Sequence, residues 1–140
     1  MEHNPDKVRT IVSEILGALG RIEELGRLGD AEFLGDPHKV ASAKYHLIVA
    51  IEGAVDLCNH VIARNGLRAP EDYADTFRVL GERNLFAPEF VDALIQMVRF
   101  RNRLVHIYWN IDDVEILRIV RTRLGDIRRF LEEFGAFLRT

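Results

Sequence analysis

Apolar residues recur at three- and four-residue spacing from one end of the chain to the other, and no stretch alternates with period two. A helix returns to the same face about every 3.6 residues and a strand every second one, so the pattern predicts an all-α protein. The first helix is predicted from about Asp6 to Gly29. Val8, Ile11, Val12, Ile15, Leu19, Ile22 and Leu25 form its apolar stripe, and Asp6 is placed to cap its free N–H groups. Gly17, Gly20 and Gly26 weaken that helix unless they mark close packing against a neighbour. A second helix opens at Asp36-Pro37 and runs to about Arg64, where Asn65-Gly66 supplies a stop. A third spans about Pro70 to Arg83, with Tyr73, Phe77 and Leu80 facing in. The fourth starts near Ala87-Pro88 and reaches about His106. The fifth, opened by Asp112 or Asp113, runs to the C-terminus. Short connections between long helices predict an antiparallel bundle of about five helices, folded as one domain over residues 1–140.

Two faces of this bundle depart from a plain core pattern. On a wheel of about 100° per residue, the second helix gathers Leu47, Ile48, Ile51, Ala54, Val55, Cys58, Val61 and Ile62 on one broad side. The other side carries Tyr45, Glu52, Asp56 and Asn59, with Val49 and His60 alongside. That side reads either as a solvated face or as a cleft wall whose Glu52, Asp56 and Asn59 hold a cation in place. The fourth helix offers the cation. Phe90, Val91, Ala93, Leu94, Met97, Val98, Leu104 and Val105 make its apolar face, and Arg101 falls in the middle, where a leucine is expected. A guanidinium does not shed its proton in a protein, so Arg101 must meet a carboxylate, open onto a wet cleft, or snorkel from the helix end. Glu52 or Asp56 is the expected partner. Asn102 and His106 share a face if the helix continues that far, whereas Arg101 and His106 stand about 140° apart on a regular helix. Those two converge within one chain only if the helix bends or ends between them; a two-fold dimer axis would solve the same problem by juxtaposing two copies.

Composition narrows the function classes. With 48% hydrophobic and 29% charged residues, the chain can bury a core. No uninterrupted apolar run approaches the roughly 18 residues of a membrane span, and Met1 to Asp6 lacks the pattern of a signal peptide. A cytoplasmic protein with no membrane partner is expected. One cysteine, Cys58, excludes a disulfide within the chain. The five histidines, His3, His38, His46, His60 and His106, show no ligand spacing, so neither a metal site nor a cofactor is expected. A net charge of −3 argues against broad charge-driven binding of nucleic acid. Any RNA contact must be local, and arginines do cluster: Arg99, Arg101 and Arg103 alternate, while Arg118, Arg121, Arg123, Arg128 and Arg129 crowd the last helix.

The segment Arg101-Asn102-Arg103-Leu104-Val105-His106-Ile107-Tyr108 resembles the signature of the HEPN ribonuclease superfamily, in the form with a tyrosine two residues after the histidine that marks HepT-like toxins. Arg-x4-His alone is unspecific. Its context adds weight: an Arg-Asn pair near the end of a long helix, Leu-Val before the histidine, and Ile111-Asp112 leading into a last helix. The stretch from Tyr45 to Ile62 resembles the corresponding HepT helix, as does Pro70-Glu71-Asp72-Tyr73 through Phe77 and Leu80, so the likeness covers roughly residues 33 to 137. Trp109, bulky beside Tyr108, is a departure.

The resemblance implies a HEPN-like two-fold homodimer and a metal-independent endoribonuclease toxin of a type VII toxin–antitoxin pair. By position, His106 would serve as general base or acid, Arg101 would stabilise charge on the scissile phosphate, and Asn102 would orient. Those roles suit an imidazole that titrates near neutrality and a guanidinium fork that matches phosphate oxygens. The implied partners are an RNA substrate and an MNT-type nucleotidyltransferase antitoxin that adenylylates Tyr108. Without the resemblance, Tyr108 reads as an interfacial aromatic with an exposed hydroxyl. Two other functions remain open: a docking module for a nucleotidyltransferase without turnover, and a helical dimer that binds a nucleotide in its cleft.

Overall fold

The computed structural model describes residues 1–106 and 111–140. Among the described residues there are seven helices and no strand: α1 (Pro5–Gly26), α2 (Asp30–Leu34), α3 (Pro37–Arg64), α4 (Tyr73–Glu82), α5 (Pro88–Val105), α6 (Asp113–Thr122) and α7 (Leu124–Leu138). The all-α bundle is as expected, with breaks at two places: the predicted first helix stops at Gly26, ahead of a short helix α2 that the apolar pattern does not predict, and the predicted last helix is divided in two.

Each break has a local cause. After α1, the Arg121 guanidinium reaches from α6 to the carbonyls of Gly26 (3.2 Å) and Leu28 (2.8 Å) and to Asp30 (2.7 Å). Carbonyls at a helix end need donors, and here a side chain from the far end of the chain provides them. At the junction of α6 and α7, the Thr122 hydroxyl donates to the Arg118 carbonyl at 2.6 Å, a back-bond that bends helices. The start of α1 also differs from expectation. Asn4, not Asp6, is its cap, accepting from the N–H groups of Asp6 (3.0 Å) and Lys7 (3.3 Å), with Pro5 in the first turn. The caps of α3 and α6 are Asp36 and Asp112, as the sequence indicates, while α4 starts later than predicted, at Tyr73 behind Asp72.

α3 is the axis of the bundle and packs against every other helix. It is buried on nearly all sides: Ala43, Ala50, Gly53, Leu57 and His60 are buried in addition to Leu47, Ile51, Ala54, Val55, Cys58, Val61 and Ile62. A helix with so wide an apolar face belongs in a core, and a narrow polar stripe with Tyr45 and Asp56 stays exposed. By length and composition α3 could also cross a membrane, but most of that stretch is buried inside the fold. Its approach to α1 depends on Gly53, where a Cβ would come within 2.5 Å of Ile15 Cγ1. Of the glycines predicted to mark close packing, only Gly26 does so, against Val120; Gly17 and Gly20 face open space. The helix ends at Asn65, with Gly66 at φ +62° and Leu67 N–H returning to the Ile62 carbonyl (3.1 Å). α4 ends the same way through Asn84 at φ +60°, with Leu85 N–H on the Leu80 carbonyl (3.2 Å).

An aromatic cluster closes the other side. Phe77 of α4, Phe86 before α5, Phe90 of α5 and Phe130 and Phe134 of α7 are buried, with ring centroids 5.5–6.1 Å apart in successive pairs. Two predicted core positions are corrected: Tyr73 and Val105 are exposed, while Phe100 and Ile95 are buried instead.

Candidate active site at the end of the fifth helix

Arg101 stands one turn before the end of α5, and its side chain is only 19% exposed. Glu52, projecting from the middle of α3, meets it: guanidinium Nε donates to Glu52 Oε1 at 3.0 Å, and Nη2 donates to the same oxygen. Nη1 donates to Asn102 Oδ1 at 3.1 Å. The guanidinium carbon lies 5.0 Å from the centroid of the Tyr73 ring, close enough for cation–π attraction. A leucine position on the apolar face thus holds a cation fixed by a carboxylate, an amide and an aromatic ring, which meets the demand that a permanent charge there be paired.

The predicted α3 residues are divided by the fold. Glu52 is on Arg101. Asp56 and Asn59 lie along a separate groove of about 690 Å³ between α1 and α3, with Lys7, Ile11, His60, Ala63 and Arg64. Asn59 Oδ1 accepts from the Thr76 hydroxyl at 3.2 Å, a tie between α3 and α4. Partial burial, with Glu52 and Glu14 nearby and Lys7 opposing, raises the Asp56 pKa above its ordinary value. His60 accepts the Asn4 backbone N–H on Nε2 at 2.8 Å, anchoring the N-terminus to α3. Burial, then Lys7, Arg64 and His3, lower its pKa.

α5 ends at Val105. His106 is its C-cap, in an extended conformation (φ −88°, ψ 112°), half-buried, with its N–H on the Asn102 carbonyl at 3.2 Å. The helix therefore stops between Arg101 and His106. Tyr108 and Trp109 lie outside the described residues. Arg103 of α5 grips Glu115 of α6 with two bonds of 2.9 and 3.1 Å. These bonds depress the Glu115 pKa and raise that of Arg103.

Arg101 and Asn102 open onto a groove of about 420 Å³ between α4 and α5, together with Asp72, Tyr73, Ala74, Arg78, Val98 and Arg99. Three guanidiniums, those of Arg78, Arg99 and Arg101, line it against one carboxylate, so the groove favours an anion despite the acidic chain. Tyr73 is the member that sequence reasoning missed. Its four-residue spacing to Phe77, with Leu80 three residues further on, reads as core, and only the packing of α4 on α5 turns its ring toward Arg101. Among the described residues, no group of three His, Cys, Asp or Glu side chains is placed to hold a metal ion.

The chain is 30% identical over 85 residues to the mRNA nuclease HepT of Shewanella oneidensis; the match covers 61% of this chain and 64% of that protein, so it spans less than two thirds of the relative's length. The fold superposes with a TM-score of 0.86 on a tri-AMPylated Shewanella oneidensis HEPN toxin in complex with an MNT antitoxin, at 26% identity, covering 95% of this chain and 99% of that one. A toxin–antitoxin crystal structure with AMP-PNP gives the same TM-score at 25% identity, covering 94% of this chain and 98% of that one. The family model for ribonuclease HepT-like proteins matches residues 15–134, which takes in α3, Arg101 and His106, and the chain belongs to that family.

Proposed function

We propose that this protein is a metal-independent endoribonuclease toxin that works as a homodimer. The observation that carries the reading is Arg101: a guanidinium in an apolar helix face, held by Glu52 and Asn102 at the mouth of a cationic groove, five residues before His106 in a ribonuclease HepT-like chain. In the proposed reaction His106 takes the proton of a ribose 2′-OH. The 2′-oxygen attacks the adjacent phosphorus, the bond from phosphorus to the 5′-oxygen breaks, and the partner's His106 protonates the leaving oxygen. The products are a 2′,3′-cyclic phosphate and a 5′-hydroxyl end. Arg101 stabilises the equatorial phosphate oxygens as charge develops, and Asn102 orients the Arg101 guanidinium.

Control falls to an MNT-type nucleotidyltransferase antitoxin. It transfers AMP from ATP to the Tyr108 hydroxyl, releasing pyrophosphate and placing a bulky anion two residues from His106. Support for this comes from the AMPylated toxin with its MNT antitoxin that the fold matches.

Purified, unmodified protein and its His106→Ala variant are incubated with mixed RNA in EDTA, and the new ends are analysed. Cleavage by the wild type alone, with 2′,3′-cyclic ends, is expected. One observation favours a second reading, a docking module without turnover: Glu52 already occupies two of the Arg101 donors that a phosphate would use. Absence of cleavage by wild-type protein, with an intact mass excluding AMP on Tyr108, would decide for that module.

A further inference from the structure

Apart from the Arg101 groove, a cavity of about 370 Å³ lies between α3, α5, α6 and α7. Its floor is apolar, made by Leu47, Ile51, Met97, Phe100 and Ile127, all buried. Its rim is cationic. Arg99, Arg103, Arg118 and Arg123 stand around it, and Glu115 is the only acid among its described lining residues. Glu115 is already taken by Arg103, and Arg123 lies 3.7 Å from Asp126. Arg99 and Arg118 have no carboxylate within ion-pair distance among the described residues.

The arrangement selects a ligand class. Gln96 stands three and four residues before Arg99 and Phe100, and Arg103 four and three residues after them, so a single face of α5 presents an amide, a guanidinium, an aromatic ring and a second guanidinium. A guanidinium fork matches phosphate oxygens. An aromatic ring and a guanidinium plane both stack on a nucleobase. An amide offers a donor and an acceptor to a base edge. A bare inorganic anion would leave the apolar floor uncovered, and an acyl chain would leave Gln96 and two cations without partners. The volume falls at the small end of the range for ligand sites, roughly 300–1,000 Å³, as suits one nucleoside rather than a larger molecule.

We propose that this cavity is a nucleotide subsite distinct from the Arg101 groove, seating a base over Phe100 with Gln96 at its edge and a phosphate on Arg99 and Arg118. Arg99 lines both cavities, so the subsite adjoins the groove where the proposed cleavage takes place. The nucleotide is either free or one residue of a bound RNA strand; the chemistry recognised is the same.

The test reads binding, not cleavage, so its failure is separable from failure of the ribonuclease reading. Calorimetric titration of the full chain uses AMP and, separately, a short 2′-O-methyl RNA, which lacks the nucleophilic hydroxyl. Arg118→Glu is expected to weaken binding about ten-fold or more through loss of one charge-assisted phosphate contact and repulsion. Gln96→Ala should weaken it a few-fold, both variants keeping wild-type circular dichroism. The Arg118→Glu effect should persist in an Arg101→Ala background. AMP binding with this pattern identifies a free-nucleotide site, and the pattern with the oligonucleotide alone identifies a subsite for the RNA strand. Binding of neither probe, or binding that Arg118→Glu leaves unchanged, overturns the proposal.

Discussion

At the scale of single residues, the fold turns on how a few charges are accommodated. Arg101 and Glu52 form a pair whose partners are 19% and 38% exposed, between a screened surface pair and a buried one. Removing one partner from such a pair should cost more than the roughly 0–1 kcal/mol of an exposed bridge and less than the roughly 3–5 of a buried one. Glu52→Ala is therefore expected to lower unfolding free energy by about 1–2 kcal/mol in urea, and Glu52→Gln by less, since the amide oxygen still accepts. A Glu52→Ala midpoint equal to wild type would mean that water already screens the pair. His60 supplies a pH dependence. It accepts the Asn4 N–H only when neutral, and its folded-state pKa lies below the 6.5 of a free imidazole. The folded state then binds fewer protons, so this contribution is present above pH 6.5 and is lost as pH falls through the folded value. His60→Gln should flatten the fall in stability from pH 7 toward pH 5 relative to wild type; equal slopes in the two proteins would exclude His60 as its source. Asp75, held by Arg68 and the Glu71 N–H with a pKa of about 2, gives no slope in that window.

At the scale of elements, the helices end where the backbone is forced to turn, and the turns differ in what they ask of a side chain. Asn84 carries φ +60°, the left-handed region, at the position where α3 uses Gly66. Asparagine tolerates that region better than alanine does, so Asn84→Ala should cost about 1 kcal/mol, whereas Asn84→Gly should be close to neutral, as thermal melts would show. Gly53 answers a different need. A methyl there would strike the buried Ile15 side chain, so Gly53→Ala should destabilise by about 1–3 kcal/mol through overpacking of α1 on α3. Equal stability of Gly53→Ala and wild type would show that the two helices can separate at little cost. The interruption after α1 belongs to this scale as well, because Arg121 of α6 supplies the donors that the helix end lacks.

At the scale of the whole molecule, an acidic chain concentrates its positive charge where α5 meets α4 and α6. Arg78, Arg99 and Arg101 line one groove, and Arg99, Arg103, Arg118 and Arg123 rim the neighbouring cavity. Local cationic clefts on an anionic protein admit a phosphodiester where the field is focused and repel it elsewhere. If the site is composite, as proposed, ribonuclease activity belongs to the dimer. Specific activity should then fall on dilution, in step with the loss of a species of twice 16.1 kDa in sedimentation velocity. Activity independent of dilution into a purely monomeric range would place a complete site within one chain.

The periodicity of apolar residues determined the helical runs and the buried face of α3, because burial of a helix face leaves a 3.6-residue trace that needs no partner to be read, and Asp36-Pro37, Asn65-Gly66 and Asp112 marked the ends that local chemistry fixes. The oddity of Arg101 was equally legible: a permanent charge on an apolar face demands a counter-charge wherever the helix is packed. What periodicity does not carry is which neighbour supplies that charge, or where a long amphipathic run breaks. Packing chose Glu52 for Arg101, turned Tyr73 beneath the guanidinium, and sent Asp56 and Asn59 to another groove. It also brought Arg121 across 95 residues to the carbonyl of Gly26. These are contacts between faces of different helices, set by crossing geometry and the size of the side chains between them, and a linear pattern records each face only on its own.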